Sequence, residues 1–103
     1  MRVTKWFLTT ALMFAFVGCV TAPAPIDEYT LARAALEAAR SVEAARHSPG
    51  YYHQAEESYR KGKLLYEERE YEQAKAQFVR ARIAAERAEN SARLIRMKSG
   101  EVL

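Results

Sequence analysis

The sequence predicts an all-α protein: a small antiparallel three-helix bundle that follows an N-terminal export leader. Three observations carry that expectation. After residue 25 the chain is nearly free of glycine and proline, with Pro49 and Gly50 together, Gly62 alone and Gly100 near the end. Between them Ala, Glu, Arg, Lys, Gln and Leu dominate, and all of these favour helix. Apolar residues recur there in steps of three and four, whereas no run alternates β-branched and polar residues as a strand would.

The elements follow in order. Residues 1–18, "MRVTKWFLTTALMFAFVG", place Arg2 and Lys5 before an apolar run from Trp6 to Val17 relieved only by Thr9 and Thr10. That is the pattern of an export signal, and the run is shorter than the roughly 20 apolar residues that span a bilayer, so cleavage is expected. Loss of Arg2 and Lys5 leaves 14 basic against 13 acidic residues, which provides no electrostatic footprint for nucleic acid despite the sequence pI near 9.2. Residues 21–25, "TAPAP", resist helix because each proline lacks a donor and pushes its predecessor toward an extended backbone, so 19–25 reads as a short tether.

The helices are expected at about 26–47, 49–68 and 71–98, forming one domain over 26–98, with 99–103 as a tail. In the first, Leu31, Ala35, Ala38, Val42 and Ala45 trace one face, with Asp27 and Glu28 in the first turn and Arg46 in the last. Ser48 before Pro49 reads as an N-cap with proline at the first helical position. The second carries Ala55, Tyr59, Gly62 and Tyr66 on one seam; the third carries Tyr71, Ala74, Phe78, Ala81, Ala85, Ala88, Ala92 and Ile95. "EEREY" between them holds no Gly, Pro or Asn, but Tyr66 to Tyr71 is a step of five. At about 100° per residue that step would swing the seam some 140° around a straight helix, so a turn is expected near Arg69.

One cysteine stands in the chain, Cys19, where the leader meets the tether. Val17, Gly18 and Cys19 in "FVGC" resemble the lipobox of bacterial lipoproteins, with Phe16 where Leu is usual. The resemblance implies cleavage between Gly18 and Cys19 and acylation of Cys19. Two or more acyl chains hold a protein stably at a bilayer, at about 0.8 kcal/mol per buried CH₂. Val20 in place of Asp after the cysteine is similar to the outer-membrane sorting pattern of enteric bacteria, which implies a lipid-anchored protein facing the periplasm. Left unmodified, an odd cysteine in an exported chain reads as a free or intermolecularly paired thiol.

Gly62, Leu65, Tyr71, Ala74, Phe78 and Ala81 stand at the spacing of the tetratricopeptide repeat, in which small residues let two antiparallel helices approach. The match covers about one repeat; Ser58 and Glu86 replace the usual large residue and the closing proline. Together, lipobox, tether and "SPGYYHQAEESYRKGKLLYEEREYEQAKAQF" are similar to a group of small bacterial envelope lipoproteins classed as a domain of unknown function. Some of that group carry a peptidoglycan-binding domain, and none is expected within these 103 residues.

Little in the chain suggests chemistry. His53 and Glu57 stand one helical turn apart, but a structural zinc site wants four ligands and a catalytic one three, so no metal is expected. No hydrolase elbow, phosphate loop or Cys/His pair occurs, and neither a cofactor nor an enzymatic activity is expected. Tyr51 and Tyr52 point about 100° apart, so one of them is free to serve a partner surface. The thin alanine seam from Ala81 to Ala92 suggests a covering partner in the envelope or self-association. The charges along the third helix, Arg80 and Arg87 among them, read as a solvated face. The resulting expectation is a non-enzymatic, lipid-anchored envelope protein that presents a helical interaction surface. The alternative is a ligand-binding or enzyme-accessory domain with an inter-helix pocket lined by tyrosines and His53.

Overall fold

A computed structural model describes residues 22–100, so the leader, Gly18, Cys19 and the last three residues lie outside it. Four helices form the domain: α1 (Ile26–Ser41), α2 (Ala44–His47), α3 (Pro49–Glu67) and α4 (Tyr71–Lys98). There is no strand among the described residues. The chain runs up α1, down α3 and up α4, and α2 is a single turn in the first connection.

The first segment differs from expectation in two ways. Its buried stripe is Ala32, Leu36 and Ala39, with Leu31 left 53% exposed and Ala45 exposed, so the helix is turned about one residue from the face expected. Tyr29 explains the rotation. It shares the three-and-four spacing of Ala32, Leu36 and Ala39, and its ring packs on Phe78 at 4.6 Å and edge-on to Tyr59 at 5.8 Å and Tyr66 at 5.4 Å. An aromatic buries far more apolar area than the alanines on the competing face.

The second difference is a break: one helix over 26–47 is replaced by α1 and α2, with Glu43 in the left-handed region at φ 57°. Continued as a helix, the stripe 29, 32, 36, 39 would next turn Glu43 and Arg46 inward. The break avoids burying those charges and sends Val42 and Ala44 into the core, both under 5% exposed. A left-handed non-glycine residue costs about 1–2 kcal/mol, less than burying an unpaired charge. Glu43 instead faces solvent, with its carboxylate 3.7 Å from Arg46 and 3.6 Å from His47.

Ser48 and Pro49 open α3 as expected, although the serine hydroxyl makes no capping hydrogen bond. The turn to α4 falls at Arg69. Its φ is 62°, its N–H donates to the Tyr66 carbonyl at 3.1 Å, and the Glu70 N–H donates to the Leu65 carbonyl at 2.9 Å. This is the paired hydrogen-bond pattern of a Schellman motif, formed without glycine.

The core lies in three layers along α4. Nearest the tether, Ala32, Ala74, Phe78 and Ala81 are buried beneath Tyr29, Tyr59, Leu65 and Tyr66. Leu36, Ala55, Ala84 and Ala85 form the middle. Ala39, Val42, Ala44, Ala88 and Ala92 close the far end. The molecule therefore has an aromatic pole beside the tether and an alanine pole away from it. Phe78 and Leu36 are the largest fully buried side chains, and alanines elsewhere let the helix backbones approach closely.

Candidate functional site

The two tyrosines singled out at the start of α3 have different fates. Tyr52 packs against both the middle and far core layers, and its hydroxyl accepts a hydrogen bond from Arg40 Nε at 2.9 Å. That bond raises the Arg40 pKa further, and Glu56 stands 3.9 Å from the same guanidinium. Tyr51 is 43% exposed. Of the pair, Tyr51 is the one available to a partner, and Tyr52 is structural.

Tyr51 stands at one end of a groove. With Ser48, Pro49, Gly50 and Gln54 it borders a shallow depression of about 320 Å³. Gln54 also borders the next hollow, about 330 Å³, whose walls are Glu57 and Ser58 of α3 and Arg80, Ile83, Ala84 and Arg87 of α4. Glu57 is engaged by Arg60 at 2.7 Å, which holds its carboxyl below the usual range. Arg80 and Arg87 have no ion-pair partner among the described residues.

Those two arginines belong to a longer feature. On the side of α4 opposite the buried alanines, Arg80, Ile83, Arg87, Asn90, Leu94 and Met97 follow one another at steps of three and four, and all six are exposed. Ile83 is 38%, Leu94 57% and Met97 66% exposed. Burial normally removes such side chains from water, and here an outward seam at coiled-coil spacing is left uncovered.

Residues 27–100 match a family described as a domain of unknown function, DUF4398. The chain belongs to the DUF4398 family. No curated protein and no solved structure was found to match it.

The match takes in all of α2, α3 and α4 and all but the first residue of α1, so the groove and the outward seam both lie within the DUF4398 domain. Cys19 and Gly18, the expected acylation and cleavage positions, lie outside the described residues. His53 is exposed, and Arg60 occupies Glu57; among the described residues no group of three His, Cys, Asp or Glu could hold a metal ion. Tyr29, Tyr59, Tyr66 and Tyr71 close on one another and on Phe78 at ring separations from 4.6 to 6.5 Å. Among the described residues no helix is long and apolar enough to cross a membrane.

The outward seam of this DUF4398 domain was not anticipated from the sequence, where its arginines read as solvated charge. The signal was available: the alternation of threes and fours from Arg80 to Met97 is as regular as the one on the buried face. Arginine at two of the first three positions conceals it from any search for apolar residues alone.

Proposed function

We propose that the protein is a non-enzymatic lipoprotein of the bacterial envelope, anchored through acylated Cys19 in the outer membrane and facing the periplasm. Its helical domain offers an interaction surface to an envelope protein or to another copy of itself. The leader, the lipobox-like "FVGC" and the proline tether support the address. The tetratricopeptide-like spacing of α3 and α4 supports a role in protein contact.

One observation carries the interaction reading. The tether enters α1 at the aromatic pole, whereas α4 carries Leu94, Ile95 and Met97 exposed at the opposite end, away from the proposed membrane anchor. A domain held by its aromatic pole therefore has its apolar tip accessible.

Mass spectrometry of the membrane-extracted protein tests the anchor: a chain beginning at residue 19 with acyl groups on Cys19 is expected. A soluble native chain with a bare Cys19 thiol would remove the proposed location. Cross-linking in intact envelopes from Tyr51 and Leu94 tests the surface, with a specific adduct expected at one or both positions and none at Tyr52.

A further inference from the structure

We infer that the outward seam of α4 is a dimer interface, against which a second copy of the chain lays its own α4 in antiparallel orientation. This deepens the proposed interaction surface by naming its occupant.

The seam is self-complementary in one direction only. About a two-fold axis crossing α4 between Ala88 and Glu89, Ile83 meets Leu94 of the second copy, Arg87 meets Asn90 and Arg80 meets Met97. Each apolar side chain is then covered. Ile83 and Leu94, 38% and 57% exposed in the single chain, pack on each other twice by symmetry. The Asn90 side-chain oxygen accepts a hydrogen bond from the Arg87 guanidinium. Arg80 lays its aliphatic stem along Met97 and keeps its charge in water. Parallel pairing instead stacks Arg80 on Arg80 and Arg87 on Arg87, like charges that nothing across the seam would neutralise.

Flanking charges agree with this orientation. Glu86 and Arg93 lie on one side of the seam, and residues in these flanking positions face their own kind across an antiparallel pair. Glu86 of one copy thus approaches Arg93 of the other, twice. Each already has a partner in its own chain, Arg82 at 3.1 Å and Glu89 at 2.8 Å, so the exchange selects orientation and adds little affinity. Antiparallel α4 helices also oppose their macrodipoles favourably. From Arg80 to Met97 the seam spans about 26 Å at 1.5 Å per residue. So short a contact is at the small end of protein interfaces, and a concentration-dependent dimer is expected.

The test is sedimentation equilibrium of the full chain, extracted in density-matched detergent, over a range of concentrations. A monomer–dimer equilibrium is expected. Ile83→Lys alone or Leu94→Glu alone should weaken self-association at least tenfold, with helix content unchanged by circular dichroism because both positions are exposed. Both substitutions in one chain should restore it to within about threefold, since each altered position then faces the opposite charge across the antiparallel seam. A monomer at every concentration, a dimer indifferent to both substitutions, or a double variant no better than the single ones overturns the inference. The last result also covers a parallel dimer and a foreign helix as the occupant. The acyl mass on Cys19, measured on the same samples, separates the two readings. A bare thiol removes the anchor without touching the dimer result, and an acylated monomer removes the dimer without touching the anchor.

Discussion

Gly62 and Phe78 set the distance between α3 and α4. A Cβ at Gly62 would lie 2.7 Å from Phe78 Cε1 and 2.8 Å from Cδ1, and the ring is fully buried among Tyr29, Tyr59 and Tyr66, so it has nowhere to move. Alanine in a helix interior gains about 1 kcal/mol over glycine, whereas overpacking a core costs about 1–3 kcal/mol. Gly62→Ala should therefore fail to stabilise the protein and lower its stability by up to about 2 kcal/mol in urea denaturation. Gly50→Ala, where nothing lies within 4 Å, should be neutral or slightly stabilising. The same cluster predicts alkaline sensitivity. Burial, with Tyr29 adding to it, raises the Tyr59 pKa in the folded protein. The unfolded chain then loses its proton first, near the ordinary phenol value of about 10, and stability falls as pH rises through that value toward the folded pKa. Tyr59→Phe should flatten the fall in thermal melts taken across this range. The need for Gly62 was legible in its place on the aromatic seam; the inward turn of Tyr29 was not, because α1 offers two stripes of similar spacing and only packing on Phe78 separates them.

Among the elements, the α3–α4 turn shows how a short segment without glycine can still reverse the chain. Arg69 holds φ 62° because the two Schellman hydrogen bonds satisfy carbonyls at the end of α3, and the hairpin packing fixes where the chain must turn. The left-handed region costs a residue with a Cβ about 1–2 kcal/mol, and glycine's extra entropy loss is about 0.5–1 kcal/mol. Arg69→Gly should therefore stabilise the protein by about 0.5–1 kcal/mol, read as a higher urea midpoint with unchanged slope. The turn was legible from the five-residue step between Tyr66 and Tyr71. The break at Glu43 was not, since "SVEAARH" carries no breaker and is interrupted only because a continuous helix would turn Glu43 and Arg46 toward α4.

For the whole molecule, the two poles connect fold to the proposed role. The tether leaves the aromatic end, and the uncovered seam runs along the outside of α4 toward the alanine end. In an antiparallel pair the two tethers leave from opposite ends. Cys19 to Pro25 is seven residues, with a reach of at most roughly 25 Å at 3.3–3.6 Å each, so under the proposed acylation and pairing the two copies would engage one bilayer with α4 lying along its surface. The proposed removal of the leader has a direct optical consequence. Trp6 is the only tryptophan, so the processed protein should show tyrosine emission alone; indole emission from the membrane-extracted chain would show that residues 1–18 are retained.

By itself the sequence determined the helical class, the connections near Pro49 and Arg69, the buried stripe of α4 from Ala74 to Ala92 and the place of Tyr59, Tyr66 and Phe78 on the core seam, because these follow from local propensity and a period that one strand of text displays. Ile95, expected on that stripe, is 40% exposed because no other helix among the described residues reaches the end of α4 to cover it. Only the tertiary structure decided which stripe of α1 turns inward, that Glu43 interrupts it, that Tyr52 is core while Tyr51 is surface, and that the seam from Arg80 to Met97 is left open. Each of those is a choice between faces of similar composition. Such a choice is made by the area and charge of whatever packs against the helix, and that neighbour is remote in the chain.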